Sequence, residues 1–168
     1  KQIDDFIQGN RASVSSQALL PVYSDYLAMT RTERYDTPEE ERLAASMAAF
    51  NAALKVKERS FFTSMALLNM EGQVAYTTNT YDIGWNEQET SYFQQAISLG
   101  YGYASDVTFF AADNTPYIVF SAPVRDPNSN IVGVLRAKFR ASIFQDLAEQ
   151  YSGSLTDAYY PILFDQDY

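Results

Sequence analysis

Apolar residues recur every three or four positions at the start of the chain. Ile3, Phe6, Ile7, Val14, Ala18 and Val22 line one face of an otherwise polar segment, the pattern of an amphipathic helix. Pro21 falls inside this pattern and should kink it, because its ring removes an N–H and crowds the preceding turn. The polar stretch 31–36 breaks the helix. Thr37-Pro38-Glu39-Glu40 then reads as a new start: Thr37 caps free amides, Pro38 suits the first helical position, and the acids favour the positive end of the helix dipole. Leu43, Met47, Phe50 and Leu54 follow at helical spacing. The ordinary role of both stripes is packing, as scaffold or as a dimer contact.

The texture changes at Arg59. Residues 61–69 are an apolar run, Met70-Glu71-Gly72 is a turn, and 74–78 is rich in β-formers, which together predict a hairpin. A polar loop over 79–89 leads into a short helix over 90–99, ended by Gly100. Strands are predicted over 103–110, 116–124 and 131–140, joined by the turns Ala112-Asp113-Asn114 and Asp126-Pro127-Asn128-Ser129-Asn130. Residues 141–151 read as helix, Ser152-Gly153-Ser154 as a break and 159–164 as a further strand. Hairpin connections make the sheet antiparallel, with helices gathered on one side, so the class is α+β. No internal repeat is visible.

Composition narrows the chemistry. The chain has 168 residues, the size of one domain or one and a fragment, and is 46% hydrophobic and 15% aromatic, enough for a sizeable core. It contains no His, which removes Ser-His-Asp and Cys-His triads, His general bases and His metal ligands together. It contains no Cys, so thiolate chemistry, zinc ribbons, iron–sulfur clusters and disulfides are excluded. Twelve Lys and Arg against 21 Asp and Glu leave a net charge of −9, a poor match to nucleic acid or an anionic bilayer. No apolar run reaches the ~18 residues of a membrane span, and nothing at the N-terminus reads as a signal peptide. The sequence starts at Lys1 without Met and stops at Tyr168 in a strand-like run, which reads as a fragment of a longer protein.

Several partial motifs fail on inspection. Gly100-Tyr101-Gly102 begins like a dinucleotide fingerprint, but position 105 is Ser and the run ends a helix instead of opening one. Asp126, Asn128 and Asn130 have the spacing of a calcium loop, yet Ile131 stands where Gly is required and Ala137 where the closing Glu belongs. Glu87 and Glu89 lie on a polar loop, where such a pair is expected to be solvated. No catalytic residue, metal site or cofactor is assigned. Charge segregation is the stronger signal. Residues 60–124 hold no Lys or Arg but six acids, Glu71, Asp82, Glu87, Glu89, Asp106 and Asp113. Eleven aromatics fall within 76–120, and Arg125, Arg136, Lys138 and Arg140 follow immediately. Aromatics with a few placed polar groups are what small-molecule pockets are made of.

At this point the residues carry a family likeness. Leu68-Asn69-Met70-Glu71-Gly72-Gln73-Val74 resembles the first hairpin of the extracytoplasmic PAS-like sensors called Cache domains. Ser91-Tyr92-Phe93-Gln94-Gln95-Ala96 resembles that family's Tyr-Phe-x-x-Ala helix, and Ser105-Asp106-Val107 fits its third strand. Ala122-Pro123-Val124-Arg125-Asp126 followed by Ile131-Val132-Gly133-Val134-Leu135 is similar to its closing hairpin. The likeness covers residues 40–150. It implies a long N-terminal helix packed on a five-stranded antiparallel PAS-like sheet. It also implies a ligand pocket between the sheet and the loop and helix over 81–99. The parent would be a membrane-anchored bacterial receptor (a histidine kinase, chemoreceptor or nucleotide cyclase), with this chain in its periplasmic or extracellular portion. The resemblance divides the chain into N-terminal helices over 1–57 and a ligand-binding module over 58–151. Residues 152–168 would begin a truncated membrane-proximal module of a double Cache, Tyr159-Tyr160-Pro161-Ile162-Leu163-Phe164-Asp165 resembling its opening strand.

Many amino-acid-binding members carry an Arg at the start of the short helix, a Trp-Tyr pair after it and an Asp on the last strand. Here Thr90, Tyr92 with Phe93, and Lys138 stand at or near those places, so both charges that would grip an α-amino acid are changed. The candidate ligand-binding set is Tyr81, Trp85, Tyr92, Phe93, Tyr101, Tyr103, Asp106, Tyr117, Ser121, Arg136 and Lys138. Two ligand chemistries stay open. Arg136 and Lys138 share a strand face by period-two alternation; pointing inward they would favour a carboxylate, pointing outward they would be solvated. Asp106 pointing inward among Trp85, Tyr92, Tyr101 and Tyr103 would favour an amine through charge pairing and cation–π contact. A small polar ligand, amino-acid-like, would satisfy both. The expected function is ligand sensing; the alternative is a ligand-free interaction module that forms a homodimer through the N-terminal helix. An enzyme would have only carboxylates and Tyr to work with.

Overall fold

The N-terminal helical stretch is broken where Pro21 stands. In the computed structural model, which describes residues 1–109 and 114–152, helix α1 (Gln2–Ala18) ends before it. Leu20 takes extended backbone angles of −69° and 129°, as a residue preceding proline is driven to do, and Pro21 opens α2 (Pro21–Ala28). Helix α3 (Pro38–Ala53) starts at the predicted cap: the Glu40 amide donates to Thr37 Oγ1 at 3.1 Å, and the Asp36 amide donates to the Glu40 carboxylate at 2.9 Å. One further turn, α4 (Val56–Arg59), leads into the sheet.

Strands β1 (Phe62–Asn69) and β2 (Val74–Thr77) form the predicted hairpin. Helix α5 (Ser91–Leu99) is closed by Gly100 at φ +72°, a left-handed cap that glycine adopts without strain. Strands β5 (Pro116–Arg125) and β6 (Ile131–Arg140) pair along nearly their whole length, and α6 (Ser142–Ser152) follows β6 directly. The run expected as one strand over 103–110 is, across its described part, two short strands, β3 (Tyr103–Ala104) and β4 (Thr108–Phe109), each paired with β5. Ser105 makes the break. Its amide donates to Val119 O at 2.8 Å, but the Val119 amide donates to Ser105 Oγ, at 2.9 Å, in place of a backbone carbonyl. The antiparallel sheet therefore has six strands instead of five, in the order β2-β1-β6-β5-β3, with β4 beside β5.

Strand alternation gives the sheet two unlike faces. Met65, Leu67, Ile118, Phe120, Ala122, Leu135, Ala137 and Phe139 form one core with Phe6, Val14 and Ala18 of α1, Tyr23 and Tyr26 of α2, and Leu43, Met47 and Phe50 of α3. Phe6 stands edge-on to Phe120, Phe139 and Phe144, with ring centroids 5.7, 5.6 and 5.9 Å apart. Ala66, Leu68, Val119 and Val134 form a second cluster with Tyr92, Phe93 and Ala96 of α5. The helices are thus not gathered on one side: α5 covers the face opposite α1, because its own apolar stripe must be buried against the sheet. No helix among the described residues is long and apolar enough to cross a membrane. The expected break at Gly153, the expected strand at 159–164 and the turn residues Ala112 and Asp113 lie outside the described residues.

Candidate functional site

Period-two alternation places Val134, Arg136 and Lys138 of β6 on the α5 side of the sheet. In the ladder, Arg136 lies between Ala66 of β1 and Ser121 of β5, and Lys138 between Ser64 and Val119. Both cations point inward; Arg136 is 0% exposed. The loop between β2 and α5 brings two acids down onto them. A turn over Thr80–Asp82, begun by Asn79 Oδ1 accepting from the Tyr81 amide at 3.2 Å, delivers Asp82. Glu87 is delivered by the turn between β1 and β2, where its amide donates to Gly72 O at 2.8 Å. Gly72 sits at φ +73°, and a Cβ there would lie 2.4 Å from the Gln88 backbone nitrogen, so only glycine lets the loop approach this closely.

The result is a buried quartet of two cations and two carboxylates. Arg136 Nε and Nη2 donate to the two oxygens of Glu87 at 3.0 and 2.8 Å, a bidentate pairing. Arg136 Nη2 also donates to Asp82 Oδ2 at 2.9 Å, and Nη1 to Ser64 Oγ at 2.7 Å. Lys138 Nζ lies 3.2 Å from Asp82 Oδ1 and 5.0 Å from the centre of the Tyr117 ring. Tyr92 donates its hydroxyl to Glu87 Oε2 at 2.9 Å, and Ser121 Oγ donates to the Tyr92 carbonyl at 2.8 Å, tying α5 to β5. Among the described residues no buried side-chain nitrogen or oxygen lacks a partner. Burial pushes the Asp82 carboxyl up, but the charges of Arg136 and Lys138 and the hydrogen bonds it accepts outweigh this and hold it below the usual carboxylate range. Burial likewise opposes the Arg136 charge, and Glu87 with Asp82 overcomes it, leaving the guanidinium above its ordinary value. The Tyr92 hydroxyl is pushed up by burial and then by the neighbouring Glu87 charge.

The remaining candidates divide by location. Tyr92, Phe93, Tyr117 and Ser121 are buried with Arg136 and Lys138, and Tyr103 is half-buried at the edge. Tyr81 is 86% exposed and Trp85 44%, while Tyr101 and Asp106 also lie exposed. The structure therefore does not gather Asp106 with Trp85 and Tyr101 around one inward cage. Trp85 instead lines a cleft of about 900 Å³ with Tyr26, Tyr35, Glu40 and Tyr76, beside the β1–β2 turn. Glu87, expected to be solvated, is 4% exposed because Arg136 draws it inward; Glu89 is exposed. Asp82, Glu87 and Ser64 belong to this buried cluster but lay outside the candidate ligand-binding set read from the sequence. The available signal was charge segregation: acids without any Lys or Arg over 60–124, and cations only afterwards. No group of three or more Asp and Glu side chains among the described residues is placed to hold a metal.

No protein-family model matches the chain, and no curated protein is similar enough in sequence to match. Solved structures do match. The chain superposes on the ligand-binding domain of the Pseudomonas aeruginosa amino acid chemoreceptor PctC, in complex with GABA, with a TM-score of 0.58 and 13% identity over 92% of this chain and 62% of that one. It matches the sensory domain of the Campylobacter jejuni chemoreceptor Tlp3, with isoleucine bound, at TM-score 0.60 and 12% identity over 86% of this chain and 56% of that one. The Escherichia coli DcuS sensor domain matches at TM-score 0.64 and 14% identity over 87% of this chain and 96% of that domain. The chain spans about three fifths of the two chemoreceptor domains. At these identities the likeness concerns the fold, and the fold is that of Cache-type sensor domains.

Proposed function

We propose, on the premise of this Cache-type sensor fold, that the chain is the extracytoplasmic ligand-sensing domain of a membrane-anchored receptor. Its ligand is a small polar organic molecule bound through a carboxylate by Arg136 and Lys138. The observation that supports this reading is the cation pair itself. Two adjacent inward positions of a central strand carry Arg136 and Lys138, under a loop that supplies the carboxylates they need. A buried ion cluster is a poor device for stability alone, since well-packed apolar residues of similar volume do as well or better. An amine ligand has less support, because Asp106, Trp85 and Tyr101 lie exposed instead of facing inward. The ligand-free dimerisation reading also has less support. The apolar stripe of α1, through Phe6, Val14 and Ala18, covers this chain's own sheet.

The test is a thermal-shift screen of the chain against organic acids, amino acids and amines. A ligand that binds only the folded state raises the melting temperature, by about 2.7 kcal/mol of added stability at a hundred times its Kd. Organic acids are expected to raise it, and Lys138→Ala to abolish the rise. A response to amines alone, retained in Lys138→Ala, or no response to any organic acid, overturns the proposal.

A further inference from the structure

The two carboxylates are not held alike. Glu87 belongs to an anchored stretch: its amide bonds to Gly72 O, its carbonyl accepts from the amide and the hydroxyl of Thr90 at 3.0 and 2.7 Å, and Asn86 bridges to Gln73. Asp82 belongs to a stretch with little hold of its own. Among the described residues, the backbone amides of 80–85 bond only to Asn79, Thr80 and Asp82, and the one backbone bond joining that stretch to the sheet, from the Val74 amide to Trp85 O, is stretched to 3.4 Å. Tyr81 is exposed, and Ile83 and Trp85 stay exposed on the rim of the outer cleft instead of joining the buried core. Gly84, at φ +86°, has open space around it. What pins residues 80–85 to the sheet is the Asp82 carboxylate, through Lys138, Arg136 and the Thr77 hydroxyl at 3.2 Å. Segments with few buried contacts open at low free-energy cost.

An aspartate side chain is chemically an acetate on a tether. We infer that Asp82 is the site's built-in occupant: an incoming carboxylate takes its place between Arg136 and Lys138, and residues 80–85 leave the sheet as the ligand enters, while Glu87 stays on Arg136. Binding is then exchange instead of addition to an open pocket, and the loop position reports occupancy. This rests on the proposal that the α5 face of the sheet is the ligand site. It adds that the ligand-free domain is closed by its own anion. A tethered carboxylate competes at an effective concentration of about millimolar or above, so removing it should tighten the binding of a free one.

Trp85, the chain's single tryptophan, sits in the segment that would move. Acetate is titrated into the intact chain, with sodium chloride at equal ionic strength as control. Binding is read by calorimetry, and loop position by Trp85 emission and its quenching by acrylamide. Acetate is expected to shift the emission and raise the quenching of the wild type. Asp82→Asn is expected to bind acetate about ten-fold tighter, and its Trp85 emission without acetate to match that of the saturated wild type. Acetate binding that leaves Trp85 unchanged, or an Asp82→Asn chain that melts cooperatively yet binds no tighter, overturns the exchange and leaves the ligand site standing. If Asp82→Asn does not fold, the wild-type quenching decides alone. Acetate binding by neither chain removes the ligand site and the exchange together.

Discussion

A guanidinium taken fully out of water loses several kcal/mol of hydration unless its donors are matched. Arg136 meets that demand with four hydrogen bonds, to Glu87, Asp82 and Ser64. The same bonds make Asp82 an acid-sensitive element of stability. Its carboxyl is held below the usual range in the folded chain by Arg136 and Lys138, with Glu87 the neighbouring acid on the same guanidinium. A depressed folded value stabilises the fold above the unfolded value of about 3.9, and that contribution disappears as the pH falls through the lower folded value. The urea midpoint of the wild type is therefore expected to drop steeply below about pH 4. Asp82→Asn should show a shallower dependence in that window, starting from a lower midpoint at neutral pH. Equal slopes for the two chains would disprove the pairing. At this scale the sequence showed which cations share a strand face, since alternation is local. It did not show what neutralises them, because Asp82 and Glu87 lie 54 and 49 residues before Arg136 along the chain.

Among the elements, the loop between β2 and α5 is seated by the turn of the first hairpin. Gly72→Ala introduces a Cβ 2.4 Å from the Gln88 backbone nitrogen at a residue with φ +73°. The loop must shift, and the bond from the Glu87 amide to Gly72 O lengthens or breaks. The cost is expected to reach about 1–3 kcal/mol, read as a lower melting temperature together with altered Trp85 emission. A melting temperature equal to the wild type would show that the loop does not rest on this turn. Helix and strand existence was legible in the sequence wherever a local rule decided it, at the Thr37 cap, at Gly100 and in the turn-bounded apolar runs of β5 and β6. The split of the third strand was not legible, because it depends on the Ser105 hydroxyl replacing a carbonyl opposite Val119 on another strand.

Across the whole molecule, β6 divides two environments: Arg136 and Lys138 toward α5, Leu135, Ala137 and Phe139 toward α1. Phe6 joins α1 to Phe120, Phe139 and Phe144, so Phe6→Ala is expected to cost about 3–5 kcal/mol of stability in urea unfolding. A loss below about 1 kcal/mol would place α1 outside the core. The resemblance of short motifs in the right order pointed to the sensor fold, and the superposition on chemoreceptor and DcuS sensor domains agrees with it at 12–14% identity. The sequence alone determined the α+β class, the antiparallel hairpins, the amphipathic helices and the exclusion of His and Cys chemistry, all consequences of periodicity and composition. Tertiary structure alone decided that α5 covers the face opposite α1, that Trp85 lines an outer cleft, and that Asp82 and Glu87 close over Arg136 and Lys138. Burial and charge pairing depend on which distant segments meet, and no local spacing rule carries that information.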